Sequence, residues 1–180
     1  YIQAHPLALL KHRELEDEEL SEEIRVITRG FKDEETFFIK RLSYGVAKIA
    51  SAFYPKQAIV RMSDFKSNEY YNLLGGNYFE PKEENPMIGW RGASRYYSKN
   101  FKEAFGLECK AVKYVRETIG LDNVIVMIPF CRTLGECDKV LDVMAEFGLK
   151  RGENGLKVYL MCEIPSNVIL AEEFCQKVDG

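Results

Sequence analysis

Residues 124–130 have the sequence VIVMIPF, an unbroken apolar run that begins with β-branched side chains. A strand that is apolar on both faces is typical of a parallel sheet whose two sides are covered by helices. The sequence TLGE at 133–136 is a capping box, which predicts that a helix starts directly after the strand. Apolar residues then recur at helical spacing as far as Gly148. This part of the chain is therefore interpreted as one strand–helix unit of a parallel α/β fold.

The same alternation of strand and helix extends in both directions from this unit. The four predicted strands are 57–62, 87–90, 124–130 and 156–162. The predicted helices are 33–55, 68–74, a helix from Ser98 or Asn100 to Gly120, 133–148, and a helix from Ser166 or Asn167 to about Val178. The strands begin about 33 residues apart, which is the period of β/α units in a parallel sheet.

Two architectures fit this order of elements. One is a small open doubly wound sheet, and the other is part of a (β/α)8 barrel, which typically needs about 250 residues. No glycine-rich phosphate fingerprint follows any predicted strand, and residues 178–180 resemble the approach to a further strand. Both points favour an α/β fold that is an incomplete (β/α)8 TIM-type barrel of about four parallel strands. Because no linker-like segment divides the chain, residues 1–180 are expected to form a single domain.

The composition is that of an ordinary globular protein without an obvious macromolecular target. The 180 residues carry a net charge of -3, which provides no attraction for nucleic acid or an anionic membrane. The paired tyrosines at 70–71 and 96–97 lack the basic stripe of a nucleic-acid surface. No apolar run approaches the roughly 20 residues that span a bilayer, and residues 1–6 lack the basic start of a secretory signal. A cytoplasmic protein that binds neither nucleic acid nor membrane is expected.

The five cysteines indicate a reduced protein. Their number is odd, no Cys-x-x-Cys pair occurs, and only two histidines accompany them, so a structural zinc site is not expected. Each cysteine is interpreted as a small buried apolar residue.

Charged side chains follow all four predicted strands. In parallel α/β proteins, ligands bind beyond the carboxyl ends of the strands. The residues there are Arg61, Arg91, Arg132 and Glu163. Guanidinium groups bind phosphate and carboxylate through two parallel hydrogen bonds, and a lone glutamate suits Mg²⁺ whose other ligands come from the substrate. The pattern predicts a small ligand with more than one negative charge. The alternative is that these are surface or salt-bridge residues, and position supports Arg132 least.

Long motifs around these residues resemble the phosphoenolpyruvate (PEP) synthase family of PEP-utilising enzymes. The motifs are VRMSDFKSNEY at 60–70, EENPMIGWRGASRY at 83–96, VMIPFCRT at 126–133 and RGENGLKVYLMCEIPSN at 151–167. The resemblance extends from about Ile2 to Gly180, with pyruvate phosphate dikinase and enzyme I of the sugar phosphotransferase system as more distant relatives. It implies that the chain supplies strands 2 to 5 of the family's PEP- and pyruvate-binding (β/α)8 barrel.

The resemblance also implies a reaction and a set of site residues. Members of the family convert ATP, pyruvate and water to AMP, PEP and phosphate by way of a phosphohistidine on a swivelling domain. Carried over to this sequence, Arg61 and Arg91 are catalytic and bind the substrate, while Glu163 binds both the substrate and Mg²⁺. ATP is bound by another domain of the family, and neither His5 nor His12 corresponds to the phosphorylated histidine. His5 is interpreted as a structural residue.

Several family features have no counterpart in this sequence. These are the first-strand arginine, the Gly-Ser-Asn-Asp motif that supplies a second metal carboxylate, and the proton-donating cysteine. The isolated chain is therefore expected to be inactive, and its open sheet edges are expected to make it a homo-oligomer. Two other interpretations remain open: a non-catalytic half-barrel that binds anions or assembles with a partner, and a relative resembling pyruvate phosphate dikinase.

Overall fold

The structure, a computed structural model, describes residues 3–180, so the parts of the predicted domain and of the resemblance that concern Tyr1 and Ile2 lie outside it. The α-helices are α1 (Pro6–Lys11), α2 (Glu18–Ile27), α3 (Glu34–Phe53), α4 (Ser67–Tyr71), α5 (Ala93–Tyr96), α6 (Lys102–Lys113), α7 (Leu134–Glu146), α8 (Pro165–Ile169) and α9 (Ala171–Lys177). The strands are β1 (Ala58–Arg61), β2 (Val124–Ile128) and β3 (Val158–Leu160). A π-helical stretch, Tyr114–Ile119, extends α6.

The three strands form one parallel sheet in the order β1-β2-β3. The central position of β2 explains its apolar sequence, because four of its five residues are buried. Beyond β3, two backbone hydrogen bonds join residues 179–180 to this strand. The Asp179 N–H donates to the Val158 carbonyl at 2.8 Å, and the Leu160 N–H donates to the Gly180 carbonyl at 2.9 Å. These bonds place residues 179–180 beside β3, and a further strand there remains a prediction.

The strand predicted at 87–90 is absent, and the prediction of four strands is wrong. This segment is a loop whose backbone groups bond to side chains instead of to a neighbouring strand. The Trp90 N–H donates to Glu83 Oε1 at 3.0 Å, and Arg132 Nη2 donates to the Gly89 carbonyl at 2.6 Å. The sheet is accordingly three-stranded and open within the described residues, with β1 paired directly to β2.

The caps inferred from the sequence start two of the longer helices. Asp33 Oδ1 accepts a hydrogen bond from the Thr36 N–H at 2.6 Å at the start of α3. Thr133 Oγ1 accepts one from the Glu136 N–H at 3.1 Å at the start of α7. The predicted helix from Ser98 or Asn100 instead starts at Lys102, so its start was placed too early. The end of its π-helical extension at Gly120 (φ 85°) agrees with the prediction.

The main hydrophobic core lies between the sheet and helices α3, α6 and α7. Among its buried members are Ala50, Phe105, Val112, Val126, Ile128, Val140 and Met144. A smaller cluster under α2 joins Leu20 and Ile24 to Phe38 of α3. Burial of these side chains is the main source of stability for such a fold, and it holds the carboxyl ends of the strands against the loops that follow them.

The cysteines divide into two groups. Cys109, Cys131 and Cys137 are buried, as predicted, but Cys162 and Cys175 are exposed, so the interpretation as buried residues is wrong for these two. All five are free thiols. In the part of the chain that the structure describes, no helix has the length and apolar character needed to cross a membrane.

Candidate functional site

The carboxyl end of β1 brings two of the predicted arginines together through an aspartate. Arg61 is the last residue of β1, and its Nη1 donates to Asp64 Oδ2 at 3.1 Å. Arg91 bonds the same carboxylate with both prongs of its guanidinium, from Nε to Oδ1 at 2.8 Å and from Nη2 to Oδ2 at 2.9 Å. The Asp64 side chain is only 2% exposed. One buried carboxylate therefore holds two guanidinium groups. The three side chains together carry one net positive charge.

The charge state of Arg91 is fixed by these contacts. The hydrogen bond and the charge of Asp64 raise the pKa of Arg91 above its usual value, and the nearby negative charge of Glu163 adds to the rise. A third donor, Nη1, bonds the Met87 carbonyl at 3.0 Å. The Arg91 side chain remains 17% exposed, while that of Arg61 is 51% exposed. Both guanidiniums can thus be reached by a small anion from solvent.

Glu163 joins this edge from the end of β3. Its Oε1 accepts a hydrogen bond from the Phe130 N–H at 2.7 Å. Phe130 has φ 51°, in the left-handed region that side chains other than glycine rarely adopt. Its ring packs against the guanidinium of Arg91, with the carbon of that group 4.8 Å from the ring centre. Phe130 therefore connects Glu163 to Arg91, and the three predicted site residues lie along one edge of the sheet.

Arg132 fastens the 87–92 loop to this edge. Its guanidinium bonds the Gly89 carbonyl and stacks over the ring of Phe130, 4.7 Å from the ring centre. Its backbone N–H donates to Glu136 Oε2 at 2.7 Å. These contacts support the structural alternative for Arg132.

A second buried ion pair supports the loop from behind. Arg95 donates to both oxygens of Glu80, at 2.5 and 2.8 Å, and its guanidinium lies 4.0 Å from the centre of the Trp90 ring. His5 Nε2 bonds Glu80 at 2.9 Å, and His5 Nδ1 accepts from the Leu7 N–H at 3.1 Å. Burial lowers the pKa of His5. Since both ring nitrogens are used in packing the loop and α1, the structural interpretation of His5 is confirmed.

Asp64, which brings the arginines together, is not among the site residues predicted from the sequence. It stands three residues after Arg61 in the VRMSDFKSNEY motif, a position from which an acidic side chain can reach back to the arginine. The contact with Arg61 could thus have been predicted from the spacing. The contact with Arg91 spans 27 residues and depends on the course of the 87–92 loop. Tertiary structure alone determines that contact.

The residues at this edge provide part of a possible magnesium site. No hydrogen bond from residues 3–180 reaches Glu163 Oε2, and the carboxylate is exposed. Asp64 is occupied by its two arginines, and the described residues contain no group of three or more acidic, histidine or cysteine side chains suited to a metal. Mg²⁺ commonly binds through one or two carboxylates together with substrate oxygens and water. Glu163 can supply one such ligand.

Comparison with known proteins gives a consistent result. The family described as "PEP-utilising enzyme, PEP-binding domain" matches residues 18–180. The chain is 62% identical over its whole length to a phosphoenolpyruvate synthase of Synechocystis sp., and 64% identical over 88% of its length to that of Aquifex aeolicus. It is 55% identical over 99% of its length to the enzyme of Escherichia coli.

The chain spans about a fifth of the length of these relatives, 22%, 19% and 22% respectively. The identities nevertheless extend over nearly all of the chain, and the family match includes Arg61, Arg91 and Glu163. This chain therefore belongs to the family of PEP-binding domains of PEP-utilising enzymes.

Proposed function

We propose that this chain is the part of a phosphoenolpyruvate synthase that binds pyruvate or PEP together with Mg²⁺. The observation that carries the proposal is the pairing of Arg61 and Arg91 on the buried carboxylate of Asp64, next to Glu163. Two fixed guanidiniums beside an exposed carboxylate suit a small substrate that carries a carboxylate or phosphoryl group and binds a divalent cation.

In the proposed reaction, a phosphoryl group passes from a phosphohistidine to pyruvate, and the parent enzyme consumes ATP and water to give AMP and phosphate. Arg61 and Arg91 bind and orient the carboxylate or phosphoryl oxygens and offset charge in the transition state. Glu163 holds Mg²⁺, which when bound supplies a positive charge that neutralises oxygens of the substrate. The phosphohistidine domain and the ATP-binding domain of the parent enzyme are the proposed partners.

The open sheet fits part of a (β/α)8 barrel. The assignment to strands 2 to 5 counted residues 87–90 as a strand. Without that strand, we propose that the single domain 1–180 supplies three neighbouring strands and, through Asp179 and Gly180, the first residues of a fourth. We also propose a cytoplasmic location, where ATP and pyruvate are available.

A chimaera provides the test. This chain replaces the matching segment of the Escherichia coli relative, and pyruvate-dependent formation of AMP and PEP is measured. We expect activity with the native chain and a loss of about a hundredfold or more in kcat/KM for Glu163→Gln and for Arg61→Lys, because each removes a charged contact made in the transition state. Glu172→Gln, an exposed change on α9, is the control.

The two alternatives predict other results. An anion-binding module without catalysis would give a folded but inactive chimaera. A relative of pyruvate phosphate dikinase would use phosphate rather than water as the co-substrate. The 180-residue chain alone is expected to form no AMP from ATP and pyruvate, and detectable turnover by it would contradict the proposed division of the site.

A further inference from the structure

Ser63 lies between Arg61 and Asp64, and each of its polar atoms bonds to a side chain that reaches it from a helix. The Ser63 N–H donates to Glu108 Oε2 at 2.9 Å, and Ser63 Oγ makes a short hydrogen bond to Glu108 Oε1. Glu108 belongs to α6, 45 residues further along the chain. The turn that carries both arginine contacts is therefore attached to a helix of the core.

Two tyrosines complete this set of contacts. Tyr70 of α4 donates its hydroxyl to Ser63 Oγ at 2.8 Å, and Tyr96 of α5 donates its hydroxyl to the Ser63 carbonyl at 2.5 Å. Both tyrosines are fully buried. We call Ser63, Tyr70, Tyr96 and Glu108 the Ser63 clamp. It joins three helices to one residue of the ligand-binding edge.

A carboxylate is a costly choice for this position if it serves packing alone. Glu108 is 5% exposed, and the structure shows no ion pair between it and a lysine, arginine or histidine of residues 3–180. Burial raises its pKa to about 7, while the two hydrogen bonds from Ser63 act in the opposite direction. A buried charge without a cationic partner lowers stability, whereas an apolar residue of similar size does not. Such a departure from the packing rules is expected at a functional position.

We propose that Glu108 is a positioning residue for the site: through Ser63 it fixes the turn at 61–64, and thereby the two guanidiniums that Asp64 holds for pyruvate or PEP. The inference rests on the proposed function and deepens it. Glu108 itself lies behind the edge and bonds Ser63, whereas the arginines meet the ligand. Small displacements of positioned groups have large effects on binding and catalysis.

The clamp makes substrate binding dependent on pH. The titratable groups that face Glu108 are Tyr70, Tyr96 and its neighbour Cys109, and burial raises the pKa of each above its usual value. These three groups stay neutral near pH 7, so Glu108 is the member of the set that titrates there. Its ionised carboxylate accepts both bonds from Ser63, whereas protonation removes one acceptor. The turn is thus held most firmly above the pKa of Glu108.

The first measurement is the pH profile of KM for pyruvate in the chimaera. Pyruvate does not titrate near neutrality, so a step there reports on the protein. We expect KM to fall as pH rises through about 7 with the native chain, and Glu108→Gln to raise KM about tenfold, keep kcat within about threefold and abolish the step. Ser63→Ala should act in the same way. The matched controls are Glu34→Gln on α3 and the buried Ser43→Ala, which bonds only backbone carbonyls.

The second measurement does not depend on activity. Amide hydrogen exchange of residues 62–66 is followed in the 180-residue chain and in its Glu108→Gln variant. Faster exchange confined to this turn supports the proposal, whereas unchanged exchange, or a uniform increase through α6, overturns it. Unchanged KM and pH profile in an active Glu108→Gln chimaera overturn it as well. If the native chimaera makes no PEP, the proposed function fails, and the exchange result alone decides the role of Glu108.

Discussion

At the scale of single residues, Asp64 is the side chain that links the two arginines of the proposed site. Its buried carboxylate accepts three hydrogen bonds from two arginines, one of which is largely buried with it. Removing one member of a buried charge cluster lowers the free energy of unfolding by more than the net contribution of the ion pair, because the remaining charges stay buried without a partner.

Asp64→Asn is therefore expected to raise KM for pyruvate or PEP and to lower the free energy of unfolding by about 1–3 kcal/mol. Urea denaturation and steady-state kinetics measure the two effects. Asp138→Asn removes the exposed partner of Lys177 and is the control, with an expected change of less than about 1 kcal/mol. Equal effects from the two variants would contradict the role assigned to Asp64.

Glu108 gives stability a specific dependence on pH. Its pKa rises from 4.5 to about 7 on folding, so the folded state binds the proton more tightly than the unfolded state. The stability linked to this proton is fully present below about pH 4.5 and is lost as pH rises through about 7, a change of roughly 3 kcal/mol in all.

We expect Glu108→Gln to gain stability relative to the native chain between about pH 5 and about pH 8. Urea denaturation of both proteins across this range measures the difference in free energy of unfolding. A difference that stays constant with pH would show that Glu108 does not titrate in this interval. The comparison is with Glu34→Gln. The pKa of Glu34 is lowered in the folded state, so this substitution should decrease the free energy of unfolding instead of increasing it.

The sequence predicted the arginines and Glu163 but neither Asp64 nor Glu108 as parts of the site. Position after a strand is a local property, so Arg61 and Glu163 could be proposed as site residues from the chain order alone. Glu108 stands inside an amphipathic helix, where spacing indicates which face is buried but not which distant backbone group a polar side chain meets. Its partner Ser63 lies 45 residues earlier, and only the packing of α6 behind β1 brings them together.

At the scale of elements, the 87–92 loop shows why a strand was predicted and not formed. Met87, Ile88 and Trp90 are residue types found in strands, but their backbone groups bond to Arg91, Arg132 and Glu83 instead. The starts of α3 and α7 could be predicted because the side chain of each capping residue accepts a hydrogen bond from the backbone N–H three residues further along the chain. The loop could not, because two of its partners, Glu83 and Arg132, come from other segments of the chain.

Gly92 is the position where this loop depends on the absence of a side chain. It has φ 57° and ψ -132°, and a Cβ there would lie 2.6 Å from the Pro129 carbonyl oxygen and 2.7 Å from Phe130 Cβ. Gly92→Ala is expected to destabilise the protein by at least about 2 kcal/mol and to raise KM, because the loop carries Arg91.

Gly152→Ala provides the matched control. Gly152 also has a positive φ, 81°, but a Cβ there meets nothing within 4 Å. Its cost should be that of the backbone conformation alone, about 1 kcal/mol, with KM unchanged. Thermal unfolding and steady-state kinetics are measured for both variants. The difference between them separates the cost of the close contacts at Gly92 from the cost of a positive φ, which both positions share. A Gly92→Ala protein with the stability and KM of the Gly152→Ala protein would contradict the proposed docking of the loop.

At the scale of the whole molecule, the sheet has an open edge at β1. Ile59 in this strand is 52% exposed, and no strand from residues 3–180 pairs with the outer side of β1. Unpaired edges with apolar side chains favour pairing with another chain.

We expect the 180-residue chain to form homo-oligomers through this edge, and Ile59→Lys to shift it towards the monomer, since an edge lysine opposes pairing. Sedimentation velocity over a range of protein concentrations measures the distribution. Lys157→Arg, in the segment before β3, retains its charge and is the control. A native chain that stays monomeric at all concentrations would contradict the expectation.

The other side of the sheet, along β3, is hydrogen-bonded to residues 179–180. Asp179 bonds Val158 through its backbone and side chain, and Arg151 binds its carboxylate at 2.8 and 3.0 Å. Because β3 is only three residues long, this anchored tail covers it. Within the described residues, the outer side of β1 is the edge that no backbone hydrogen bond from a neighbouring segment occupies. If the β1 edges of two copies pair with each other, the contact uses the same surface on both copies, so a two-fold symmetric dimer is expected from that interface.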